Sequence, residues 1–332
     1  MRFGLTTDFR NMPGAGKTSA TVYAETLELF TYAETLGFSA AYVFEHHFTD
    51  DGYMSSPMVA ATAIAARTKT MRVGPDIAIL PLYDPVRVAE DGAVVDLISN
   101  GRLDFGVGLG YRPQEYAGYG LDIKRKGERA NESLEIIRRL WQGETVTFHG
   151  KHFNVEGAKL SPRPVQQPNP PIWVGGFSKV AARRAARFGD GYIGPSNRTM
   201  YEWYLNALKD VGKDPAKARV MGGDLWLIVS EDPDRTFNEY ASNLLYWFNA
   251  YSRWFEGTDT SPWPHLENKE QMLSLGLATI VTPEDAIKHI KARTTELPVE
   301  MFTMMLTPPG ASTKSVQTGL ELFAKKVMPA FK

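Results

Sequence analysis

The chain has 332 residues, of which 43% are apolar and 23% charged, with a formal net charge of −1 and no cysteine. That balance is ordinary for a globular protein and gives no electrostatic reason to expect nucleic acid or an anionic membrane as partner. Without a thiol there is no disulfide, thiolate nucleophile, cysteine-bound zinc or iron–sulfur cluster. No apolar run reaches bilayer-spanning length, and residues 1–20, with Asp8, Pro13 and three glycines, do not read as a signal peptide. A cytoplasmic enzyme is the expectation.

The predicted elements alternate strand and helix. Residues 2–8 form a first strand and 11–17 a Pro/Gly loop. A helix follows from about Thr21, with Tyr23, Leu27, Phe30 and Ala33 at helical spacing and Gly37 closing it. Residues 38–48 are strand two, the Ala-rich 57–68 a helix suited to close packing, and 71–80 strand three, ending at Pro81. Val86, Ala89, Ala93 and Leu97 mark the next helix, stopped by Asn100-Gly101, a pair that suits a left-handed C-cap. Residues 102–110 are strand four, followed by a loop to about Lys126. Leu134, Ile137 and Trp141 lie on a fourth helix, 145–156 on a polar hairpin, and 161–171 in a proline-rich connector. Strand five spans 171–176, a helix 180–188, strand six 191–195, a helix 199–211, strand seven 223–230 and a helix 232–251. Residues 255–276 are irregular, 283–294 helical and 300–306 strand eight. Val316, Leu320, Phe323 and Val327 lie on a last helix.

Eight β–α units imply a parallel sheet and favour a closed barrel over a doubly wound sheet. No linker divides the chain. The prediction is a single (β/α)8 TIM-barrel domain over residues 1–332, with insertions at about 145–170 and 252–280.

The stretch with most chemistry is Glu45-His46-His47, at the end of the apolar run 41–44 and before the Asp50-Asp51-Gly52 turn. Buried strands of α/β enzymes deliver polar groups at their C-terminal tips. Alternation along a strand puts Glu45 and His47 on one face and His46 on the other, which argues against both imidazoles serving one metal. His149 and His152 sit in the polar hairpin and read as solvent-exposed, while His265 and His289 carry no signal. Pro13-Gly14-Ala15-Gly16-Lys17-Thr18 is a broken P-loop, because Asn11 stands where the first glycine is needed. Gly106-Val107-Gly108-Leu109-Gly110 is not a dinucleotide turn, because Tyr111 stands at the third glycine. It leads into Tyr111 and Arg112, an aromatic and a cation able to meet a ring or a phosphate, although plain strand packing explains the glycines equally well. Trp173-Val174-Gly175-Gly176-Phe177-Ser178 ends strand five and opens a helix, which suits a phosphate at the helix N-terminus or a simple cap at Ser178.

Taken together, Glu45-His46-His47-Phe48-Thr49, Leu80-Pro81 with Asp84-Pro85-Val86-Arg87, Asn100-Gly101-Arg102, the turn 173–178, Arg187-Phe188-Gly189-Asp190-Gly191 and Val327-Met328-Pro329 resemble the bacterial luciferase-like flavin-dependent monooxygenases. The similarity runs in order over nearly the whole chain. It implies a (β/α)8 barrel, use of reduced FMN and dioxygen or, in one branch, of the deazaflavin F420, and often a homodimer. By position, His46 matches the catalytic histidine, Asp76-Ile77 a cis peptide under the flavin ring, Val174 a ring contact, and Gly176, Phe177 and Ser178 the phosphate-binding turn, with Gly175 beside them at the cofactor. Leu109 stands where the luciferases carry a phosphate-gripping arginine, so Arg112 is expected to take over that charge. Gly176 replaces their phosphate-turn glutamate and Ser196 a tryptophan near the flavin, which points to oxidation of another substrate rather than light emission. Residues 255–276 correspond to a mobile lid, here with Trp263 between prolines, next to Trp254 and Phe255.

The expected function is a two-component monooxygenase. Reduced FMN from a separate flavin reductase binds at the barrel mouth, with His46 catalytic and Ile77, Tyr111, Arg112, Val174 and residues 175–178 around the cofactor. The substrate is a small apolar organic molecule, and no metal takes part. The rivals are an F420-dependent oxidoreductase on the same scaffold, a metal-dependent barrel hydrolase using Glu45, His46 and His47, and a non-catalytic flavin-binding protein.

Overall fold

The computed structural model describes residues 1–255 and 263–331. The barrel strands are β1 (Arg2–Thr7), β2 (Ala40–Val43), β3 (Arg72–Pro75), β4 (Ala78–Ile79) and β5 (Phe105–Gly108). After the antiparallel hairpin of β6 (Thr145–His149) and β7 (Asn154–Lys159), the barrel continues with β8 (Ile172–Gly175), β9 (Gly191–Ile193) and β10 (Val220–Gly223). A separate parallel pair, β11 (Leu227–Val229) and β12 (Thr279–Val281), precedes β13 (Val299–Met305), which returns to the barrel. The sheet runs β3-β2-β1-β13-β10-β9-β8-β5-β4, all parallel. Strands β3 and β4 are two halves of one staves' position, parted at the cis Asp76–Ile77 peptide. A bridge from Val73 to Leu103 joins the two ends, which makes eight positions around the barrel, as expected.

The helices are α1 (Ser19–Thr35), α2 (Pro57–Arg67), α3 (Pro85–Ile98), α4 (Pro113–Gly118), α5 (Lys126–Trp141), α6 (Lys179–Phe188), α7 (Arg198–Asp210), α8 (Pro233–Arg253), α9 (Lys269–Ser274), α10 (Pro283–Thr294) and α11 (Thr313–Leu322). Their starts follow local chemistry. Asp84 caps α3 by accepting from the N–H groups of Val86 and Arg87, ahead of a proline whose missing N–H costs nothing there. Asn100 and Gly101, at φ 54° and 81°, turn the chain out of α3. Among the described residues no helix is long and apolar enough to cross a membrane.

The structure departs from the predicted elements in several places. Strand two ends at Val43, because the His46 N–H turns to the Met54 carbonyl at 3.0 Å and leaves the sheet. The seventh barrel strand is Val220–Gly223 rather than 223–230. The more apolar run after it, Leu227–Val229, pairs with β12, which the pattern missed. Added side-chain carbon at Gly222 and Gly223 would collide with Tyr201 and Thr303, so the true strand needs glycines that hide it from a hydrophobicity reading. The loop before Lys126 contains α4, started by Pro113. The irregular 255–276 contains α9, while its residues 256–262 lie outside the described part.

Inside the barrel Ala40, Tyr42, Trp173, Ile193, Met221 and Met301 form a core distinct from the layer between sheet and helices. Its polar hub is Asp104, which accepts from Tyr42 Oη at 2.7 Å, Trp173 Nε1 at 3.0 Å and Arg72 Nε at 2.5 Å and Nη2 at 2.7 Å. A carboxylate 2% exposed is tolerable only with its oxygens filled in this way. Asp104→Ala strands Arg72 and two buried donors and is expected to cost about 3 kcal/mol or more, read as a lower urea midpoint. A loss under about 1 kcal/mol would show that the barrel does not depend on this hub.

Candidate active site

The C-terminal ends of β1, β2, β4 and β5 meet the last turn of α8 around His46, where a (β/α)8 barrel carries its sites. Glu45, His46 and His47 are 3%, 6% and 4% exposed. They lie past the end of β2, so strand alternation does not orient them, yet they divide as that alternation predicted. His47 Nε2 is 2.7 Å from Glu45 Oε1, and the other Glu45 oxygen accepts the Ile79 N–H at 2.6 Å. Tyr83 also donates to Glu45, and Tyr119 Oη lies 3.3 Å from His47 Nδ1. His46 turns elsewhere. Its Nδ1 is 2.7 Å from Glu115 Oε1, an oxygen that also accepts the His47 N–H at 3.0 Å and Arg112 Nη1 at 3.1 Å. The two imidazoles serve different carboxylates, which is not the convergent arrangement a shared metal needs.

Glu115 was missed. Arg112, at the N-cap of α4, and Glu115, in its first turn, stand three apart, and Pro113 followed by an acid is a helix-start signal that could have placed them on one side. The ionised Glu115 carboxylate is held below its usual range: burial pushes upward, but the bonds from His46, the His47 N–H and Arg112 prevail. For His46 burial wins instead and lowers its pKa, with Arg112 and Arg10 adding to that and Glu115 opposing. His46 is therefore neutral near pH 7. Because Glu115 accepts from Nδ1, the ring is fixed with its proton there and its lone pair on Nε2. Tyr111 Oη lies 3.1 Å from that Nε2 and donates to it. The result is one unprotonated ring nitrogen hydrogen-bonded to an exchangeable phenol proton, able to accept or return a proton.

Around this nitrogen the walls are aromatic. The His46 ring centre lies 4.9 Å from Tyr53, 5.3 Å from Tyr111, 5.9 Å from Tyr251 and 4.6 Å from Trp254, and Tyr111 stacks on Phe255 at 5.1 Å. Trp263, expected in a lid, donates from Nε1 to the Phe248 carbonyl of α8 at 3.0 Å.

The remaining predicted residues separate into groups. Ile77 crosses the barrel mouth over glycines: a Cβ at Gly108 would stand 2.7 Å from Ile77 Cδ1, and one at Gly175 2.9 Å from Ile77 Cγ2. Gly176, at φ 148°, Phe177, 71% exposed, and Ser178 open α6, with Ser178 Oγ accepting from the Ala181 N–H at 3.3 Å. Tyr192 holds the Gly176 carbonyl. Val174 pairs in register with Val107 and packs near Gly189, on the helix-facing side rather than towards Ile77. Arg112, expected at a phosphate, is 6% exposed, donates to the His47 carbonyl at 2.5 Å and lies 4.3 Å over the Trp254 ring. Its charge is committed to Glu115 on the His46 side. Two other cations lie on α5 and α6: Lys126, at the start of α5, donates to the Gly110 carbonyl at 2.9 Å, and Arg184, on α6 itself, to Asn131 at 2.8 Å. Burial lowers both, and for Lys126 the nearby Arg184 charge adds to it. Asp76, preceding Ile77, is pushed up to about 7 by burial.

A pH dependence follows for His46. Its unfolded pKa is about 6.5 and its folded one lower, so below about pH 6.5 the unfolded chain binds the extra proton and stability is lost as pH falls. Relative to His46→Gln, the wild-type protein should lose up to about 1.4 kcal/mol per pH unit between that point and the folded pKa. The comparison with the variant removes the opposite trend from Asp76. Parallel melting curves for the two proteins between pH 7 and 5 would show that His46 is not held neutral by its surroundings.

A model of the luciferase-like monooxygenase family matches residues 1–299. The oxygenase component of a flavin-dependent trigonelline monooxygenase from Acinetobacter baylyi is 33% identical over 297 residues, 87% of this chain and 78% of that one. An F420-dependent glucose-6-phosphate dehydrogenase from Amycolatopsis mediterranei is 30% identical over 67% of this chain and 68% of its own. The solved structure of a monooxygenase from Streptomyces bottropensis superposes with a TM-score of 0.86 over 100% of both chains at 24% identity, which speaks to the fold. The chain belongs to the luciferase-like monooxygenase family.

Proposed function

We propose that this family member is the oxygenase component of a two-component flavin monooxygenase, taking reduced FMN from a separate reductase and oxygenating a small organic molecule. The observation that carries the reading is His46: a neutral, tautomer-fixed imidazole whose unprotonated Nε2 accepts from a phenol inside an aromatic box. The residues at the mouth suit a flat ring with an anionic tail. Ile77, lying across Gly108 and Gly175, makes an apolar platform, and the Gly176–Ser178 turn presents the unpaired N–H groups of a ten-residue helix to a phosphate. Lys126 on the neighbouring α5 and Arg184 on α6 itself add positive charge, the role first expected of Arg112. Bound reduced flavin supplies the electrons that activate dioxygen. His46 Nε2 holds or moves the proton at the reacting oxygen, Tyr111 relays it, Glu115 and Arg112 keep the ring in place, and the aromatic walls exclude water.

A hydride-transferring enzyme using F420 is the second reading, supported by the F420-dependent relative. A homodimer working in the cytoplasm completes the proposal. Val59 on α2 and Val94, Leu97 and Ile98 on α3 are exposed apolar residues suited to a contact between copies.

Anaerobic titration with reduced FMN and reduced F420, then admission of oxygen, tests the cofactor. Tighter reduced FMN with oxygen uptake is expected; tighter F420 without oxygen uptake moves the enzyme to hydride transfer. His46→Ala is expected to keep reduced-FMN affinity within about threefold while substrate oxidation falls by about 10² or more. Unchanged turnover would remove His46 from the proton chemistry.

A further inference from the structure

Arg10 is the largest charged group of the barrel mouth that the reading above does not use. It lies three residues past the end of β1 and is 1% exposed. Its Nε edge faces acids, 3.1 Å from Asp51 Oδ2 and 3.8 Å from Asp8 Oδ2. Those acids are themselves engaged: Trp247 Nε1 donates to Asp8 at 2.8 Å and Tyr246 Oη to Asp51 at 2.7 Å. Among the described residues Nε, Nη1 and Nη2 all lack a hydrogen-bond acceptor, and Nε is held by those two ion pairs alone. The guanidinium is surrounded by rings, with Cζ 4.6 Å from Tyr53, 4.8 Å from Tyr251 and 5.1 Å from Trp254.

The same three rings enclose His46. The imidazole and the guanidinium therefore bound one aromatic compartment from two sides, and Arg112 stacks on its Trp254 wall. Buried N–H groups left unbonded are costly, and a planar fork of two of them matches a carboxylate. Rings spaced for face and edge contact suit a flat aromatic body. Trp254, just past the end of α8 and touching Arg10, Arg112 and His46, occupies the place where such a body would stack.

We propose that the substrate is an aromatic carboxylate, with its acid group on Arg10 Nη1 and Nη2 and its ring in the space Trp254 now fills, next to His46. This adds an acid group to the apolar molecule expected from the aromatic residues of the lid segment. It rests on the monooxygenase reading only for what is then done to the ring. Arg10 is a specificity-determining residue in it, Asp8 and Asp51 position its guanidinium, and Trp254 gives way.

The test is tryptophan fluorescence titration with three acids, benzoate, nicotinate and 2-naphthoate, and with their neutral amides, in the presence and absence of reduced FMN under nitrogen. At least one acid is expected to bind about tenfold or more tighter than its amide. Arg10→Met should abolish that ratio and leave the amide unaffected, and Arg10→Lys should retain part of it. Should Arg10→Met fail to fold, the wild-type ratio and Arg10→Lys decide. An acid-to-amide ratio near one for all three pairs, or a preference for the amides, overturns the proposal. Acid preference in a protein that retains neither flavin would instead overturn the cofactor reading and leave this one standing.

Discussion

One carboxylate organises the mouth of this barrel. Glu115 is fully buried, and its Oε1 receives a ring nitrogen, a backbone N–H and a guanidinium from three segments of chain. A buried charge persists only when paired and hydrogen-bonded, so these contacts hold or fail together. Through them the loop after β2 is fixed against α4, His46 is locked into one tautomer, and Arg112 is laid under Trp254. The chemistry at Nε2 is a consequence of what is bound at Nδ1.

Around that constraint the site separates its charges by layer. Glu45 and Glu115 each take one histidine, which leaves His46 free of His47 and permits one imidazole to be catalytic while the other supports structure. Asp8 and Asp51 hold one edge of Arg10 and leave the other among rings. Desolvation then decides which groups are charged: it overrides the pull of Glu115 on His46, whereas the combined donors override it at Glu115. A dry, aromatic compartment with a neutral base and a buried cation is a place for binding a flat anion and controlling one proton.

The order of elements was legible because hydrophobic periodicity and caps are local. Asn100-Gly101 and Ser178 mark helix ends in sequence as they do in the structure, where Asp84 and Thr282 cap α3 and α10 just ahead of prolines. The reading failed where packing overrides local hydrophobicity. Val220–Gly223 is a barrel strand because its glycines let Thr303 and Tyr201 approach, and the oilier Leu227–Val229 is not one. The site was legible in part. His46 stood out at a strand end, and Ile77 and Gly175 do meet, but Val174 faces the helices and Arg112 faces Glu115.

The sequence by itself determined the eightfold alternation, hence a barrel with its chemistry at one end, and the tip residues Glu45-His46-His47 that mark that end. It also excluded every thiol-based mechanism. Only the tertiary structure decided which acid His46 meets, because His46 and Glu115 are 69 residues apart and no period relates them. It decided equally that Arg10, an unremarked cation after the first strand, shares three rings with His46. Periodicity reports the face a residue turns to its own sheet or helix; partners drawn from different loops are set by closure of the barrel, which brings strand ends distant in sequence around one axis.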